Sequence, residues 1–126
     1  MAIKIASFVL RIAGLLALIL GVLFWTGNAA QLIPLHMLLG FLVVLSLWVI
    51  GIGQALVSGG SPVIAVLAIL IGLLLPIIGL MQNSWLLNSS HWIIQVVHLL
   101  IAVLAIGLGE MGAARYRRAS SGISAS

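Results

Sequence analysis

The chain has 126 residues, of which 64% are hydrophobic and 5% charged, with five basic side chains against one acid and a formal net charge of +4. Soluble domains carry roughly 25% charged residues, so this composition excludes a soluble enzyme and a disordered chain. The absence of cysteine removes disulfides, iron–sulfur clusters, thiolate metal sites and thioether attachment of a cofactor.

Four apolar runs follow in chain order. The first spans about Ile5 to Thr26 and ends at Gly27-Asn28. A cleavable leader is the competing reading of this run, but the stretch is long for one and Arg11 interrupts it. The second covers about residues 32–57. The turn Ser58-Gly59-Gly60-Ser61 follows, with Ser61 as an N-cap and Pro62 at a first helical position, where no amide donor is needed. The third run is Pro62 to Met81. A polar segment from Gln82 to Ser90 leads to the fourth, about His91 to Ala113. About 20 residues cross a hydrocarbon core at 1.5 Å per residue, and in lipid each backbone group must be satisfied within its own segment. The expected fold is therefore an all-α membrane protein. It is a single four-helix transmembrane domain over residues 1–118, followed by a disordered tail over 119–126.

Orientation follows from charge. Lys4 and Arg11 lie in the N-terminal part, and Arg115, Arg117 and Arg118 follow the last run; no loop between the runs carries a Lys or Arg. The positive-inside rule then puts both termini in the cytoplasm of a bacterial inner membrane, the simplest location, with Trp25, Trp85 and Trp92 at the outer interface. Basic flanks on membrane spans account for the charge, so the partner is a lipid bilayer and not a nucleic acid.

The second and fourth runs match each other with a histidine in register, His36 and His98. The first and third match through Gly14 and Gly21 against Gly72 and Gly79. The histidines are offset by 62 residues and the glycine pairs by 58, so the second half has the longer outer loop. The chain reads as two repeated helical hairpins related by an axis along the membrane normal. Both histidines then sit at similar depth, roughly 6–10 Å below the outer surface.

A histidine inside a membrane span is costly and functional by default, and two at matched depth call for a common partner. Imidazole is a good iron ligand, and heme iron accepts two trans imidazoles. Small residues give room for a porphyrin: Gly40 one turn from His36, and Ala102, Ala105 and Gly109 on the face of His98. The competing readings are close helix packing for the small residues and an interhelical hydrogen bond or proton role for the histidines. Zinc or copper lacks a third intramembrane ligand. His91 lies seven residues before His98, on the same face but about 10 Å higher, where it meets a heme propionate or a lipid headgroup. Gln95 lies between them, within reach of a histidine or the cofactor. Arg11 and Glu110, both near the inner surface, form a structural ion pair that fixes helix register. A proton relay through Glu110 is the sharper alternative.

Four helices, with His36 near the outer end of the second and His98 in the fourth, resemble one four-helix half of heme A synthase, and also resemble small membrane b-type cytochromes. Each half of that synthase family holds a porphyrin between a histidine pair, which implies His36 and His98 as axial ligands. Met37 and Leu99 follow the histidines where the family carries arginine after some of its own. The expectation is accordingly one non-covalent heme b used for electron transfer or heme carriage, not a heme-modifying enzyme. Quinone, a redox subunit or a second copy in a homodimer are the matching partners. The competing class is a non-redox transporter or an assembly subunit of a larger complex.

Overall fold

The computed structural model of the chain describes the backbone of residues 1–125 and the side chains of residues 1–122. Helix α1 covers Ala2–Trp25, α2 Ile33–Ala55, α3 Pro62–Met81 and α4 His91–Ala125, with a short 3-10 turn at Ala30–Leu32 before α2. No strand occurs among the described residues. All four helices are long and apolar enough to cross a membrane. Their outward faces carry large apolar side chains such as Phe8, Leu15, Leu45, Leu70 and Leu104. An apolar exterior of this extent is stable only against lipid, and the chain is an all-α, four-helix integral membrane protein.

The helix boundaries differ most from expectation at the C-terminus. Residues 119–125, expected to be disordered, continue α4 as helix; Ser126 lies outside the described residues. No proline interrupts this stretch, and the Ser121 hydroxyl donates to the Arg117 carbonyl at 2.8 Å. Helix α3 also runs unbroken through Pro76. Its start matches the sequence signal: Pro62 opens the first turn, and Ser61 Oγ accepts from the Ile64 amide at 3.4 Å.

Helices α2 and α4 contact each other and both remaining helices, so α1 and α3 lie on opposite flanks of the α2–α4 pair. The bundle has two unlike ends. At one, the histidine end, α1 and α3 finish while α2 and α4 begin. The other, the basic end, carries Lys4 and Arg115 to Arg118. Side chains with no exposed surface are Leu10, Leu47, Ile50, Gln54, Ala68, Ala105 and Ala113, and all lie in the basic half. Close contacts there use small residues, with Gly109 against Leu10 and Gly51 against Ala68, as expected where dispersion rather than the hydrophobic effect joins helices.

Polar groups close the basic end. Buried Gln54 donates to the Gly51 carbonyl at 2.9 Å and to the Ser61 carbonyl at 2.7 Å, while its Oε1 accepts from the Ser61 amide at 2.9 Å. One side chain thus ties the end of α2 to the start of α3. Gly59 in this turn has φ +81°, a left-handed conformation that favours glycine, and its carbonyl accepts from Arg115 Nε at 3.0 Å. Arg11 and Glu110 join α1 to α4 in a bidentate pair, Nε to Oε1 at 2.6 Å and Nη2 to Oε2 at 2.8 Å. The two side chains remain 55% and 35% exposed, so the pair rests on the outer face of the α1–α4 seam.

Candidate functional site

The histidine end is built around a cavity of about 300 Å³ lined by all four helices, at the lower end of the roughly 300–1,000 Å³ usual for ligand sites. On α1 the lining follows one helical stripe, Gly14, Ala17, Gly21 and Phe24; on α4 it follows His91, Gln95, His98 and Ala102. His36 and Gly40 line it from α2, Leu75, Pro76 and Gly79 from α3. Exposed Trp25, Met37, Phe41 and Leu80 also contribute, so the cavity reaches the helix exteriors and is not sealed.

His36 and His98 share this cavity. Their ring centroids are 6.2 Å apart, with the planes inclined at 56°. A metal–imidazole bond of about 2.0–2.1 Å, with roughly 1.1 Å from nitrogen to ring centre, puts two trans-ligating rings about 6.2–6.4 Å apart. The observed separation therefore matches two imidazoles on opposite sides of one metal. Both Nδ1 atoms are buried without a hydrogen-bond partner. Uncompensated buried polar atoms are costly and uncommon; Ser7 Oγ and Trp48 Nε1 are the other two among the described residues.

The internal repeat reappears in the surroundings of the rings. A side chain at Gly21 would meet His36 Cε1 at 3.6 Å, and one at Gly79 would meet His98 Cε1 at 3.0 Å. Each histidine thus packs over the second glycine of the matching pair. The other small residues divide. Gly40 has open space around it and Ala102 lines the cavity, while Gly72 is filled by Trp48, Gly109 by Leu10, and Ala105 is wholly buried in the core. Gly109 and Ala105, expected to give a porphyrin room, serve close packing instead, because Leu10 fills the space at Gly109 and Ala105 has no exposed surface.

His91 and Gln95 line the histidine-end mouth with Gln82 and Asn83. His91 Nδ1 is 3.4 Å from the Trp85 carbonyl; Gln95 makes no hydrogen bond to either of the deeper histidines. Phe24 stands edge-on to His36, with centroids 5.3 Å apart and planes at 76°. The sequence reading missed it. Extending the Gly14–Gly21 stripe by one more turn finds it. Arg11 and Glu110 are absent from the cavity lining. Among the described residues no three His, Cys, Asp or Glu side chains gather as a site for a free metal ion. In comparisons with known proteins, no family model, curated sequence or solved structure matches the chain.

Proposed function

We propose that the chain is a small membrane b-type cytochrome, holding one non-covalent heme between His36 and His98 and passing single electrons. The observation that carries this reading is the 6.2 Å separation of two imidazoles lining one mainly apolar cavity. Bound there, heme iron supplies a one-electron ferric–ferrous couple. His36 and His98 would hold the iron, and with both engaged it would carry electrons rather than bind oxygen or substrate. Gly21, Gly40, Gly79 and Ala102 keep the space around the rings clear. The walls around the two rings are mainly apolar. The positive-inside rule assigns the basic end to the cytoplasm, in a bacterial inner membrane as the simplest location, so the histidine end faces outward. Quinone, a redox subunit or a second copy are the electron partners that fit a closed iron.

The test is the visible spectrum of the full chain purified in detergent after expression with ample heme. Sharp α and β bands on reduction are expected; a colourless protein ends the proposal. The glycine cradles make a finer prediction. Gly79→Val crowds the His98 ring, overpacking costs about 1–3 kcal/mol, and heme retention falls about tenfold. Gly21→Ala, in ordinary contact distance of His36, leaves retention within about twofold. Pyridine-hemochrome titration of the two variants measures the difference, and equal behaviour would remove the cradle argument.

A further inference from the structure

The two halves of the bundle are alike around the deep histidines and unlike at the mouth. With the histidines in register, the position of His91 on α4 corresponds to Ala29 before α2, and that of Gln95 corresponds to Ile33. Only the second half therefore carries a polar ladder, His91–Gln95–His98, running down one face of α4 from the histidine-end surface into the cavity. The longer loop, 82–90, belongs to this half as well, and it supplies Trp85.

That loop sets the chemistry of His91. The Trp85 carbonyl lies 3.4 Å from His91 Nδ1, a long contact that a proton on Nδ1 would satisfy. In that tautomer Nε2 carries a lone pair, and a ring whose other N–H faces a backbone carbonyl is the usual arrangement at metal sites.

We propose that His91 is the capture ligand of the site, a surface imidazole that takes the iron of an incoming heme at the histidine-end mouth before His36 and His98 hold it. The proposal rests on the heme reading above. His91 is about 10 Å from His98 along α4, so it does not share the final iron site. Its role is kinetic. Gln95, midway between them, offers a polar surface along the route.

The experiment measures uptake of hemin by the full-length, heme-free protein in detergent, followed by the Soret band in stopped flow, for wild type, His91→Ala and His91→Gln. Glutamine keeps a donor for the Trp85 carbonyl but offers no imidazole nitrogen. Both variants are expected to reach the wild-type low-spin end spectrum, at a rate about tenfold lower than wild type. Wild-type uptake rates in either variant would overturn the proposal. So would loss of the low-spin end spectrum in both, which would make His91 an axial ligand. Failure of the underlying reading is seen separately: wild type then takes up no hemin, or its end spectrum persists in His36→Ala and His98→Ala.

Discussion

If heme sits between the two histidines as proposed, replacing His98 by alanine is expected to abolish its low-spin spectrum, and replacing His36 to do so to the same extent. Equality is the informative part. The two rings come from equivalent positions of a repeated hairpin, line one cavity and sit 6.2 Å apart, so neither is a primary ligand with the other as an accessory. No nearby side chain takes over, because among the described residues no third His, Cys, Asp or Glu gathers with them. One remaining imidazole leaves a five-coordinate, high-spin iron without the sharp α band. Heme retention falls by more than the roughly 10–100-fold typical of losing an outer-shell partner alone. Free imidazole added to His98→Gly occupies the space of the missing ring and restores the band. Pyridine-hemochrome content and the reduced spectrum give both quantities. A variant that keeps six-coordinate bands without added imidazole would exclude the pair.

The second large effect concerns folding. Gln54→Leu lowers the stability of the bundle by about 2–3 kcal/mol, since three hydrogen bonds are lost and the Ser61 amide, Ser61 carbonyl and Gly51 carbonyl keep no side-chain partner. Leucine is somewhat larger than glutamine, so no cavity opens and the loss is chiefly polar. Ser61→Ala is the control. It removes only the cap hydroxyl on the Ile64 amide and costs about 0.5–1 kcal/mol. Reversible unfolding in mixed detergent ranks the two. If Ser61→Ala proves as damaging as Gln54→Leu, the cap, not the glutamine, holds the turn.

Much of the architecture was legible from the chain because lipid simplifies the coding problem. A long, almost uncharged apolar run has one stable backbone solution in lipid, and the boundaries at Ser61-Pro62 and Met81 follow from local chemistry. The Arg11–Glu110 pair was legible by elimination, Glu110 being the only acid. Gln54 was not. A polar residue near a helix end reads as an interfacial one, and its three bonds depend on how the following turn folds back. Nor does sequence separate glycines that make room from glycines that make contact. Gly72 and Gly79 occupy the same stripe of α3, yet one is covered by Trp48 and the other by the ring of His98. The partner on the neighbouring helix decides, and that is a tertiary fact. Helical continuation past residue 118 was missed because falling hydropathy marks the end of a membrane span, not the end of a helix.

The segregation of wholly buried side chains into the basic half has a consequence for motion. Backbone amides there are shielded by close packing and by the Gln54 and Arg115 ties, while those around the cavity have fewer atoms against them. Amide exchange should therefore form a gradient along the bundle axis, slowest near Leu10, Leu47 and Ile50 and fastest toward the mouth. A ligand in the cavity would flatten that gradient from one side only, since binding stabilises the states that form the site. On this gradient the basic half is the fixed part of the bundle and the cavity half the more compliant one.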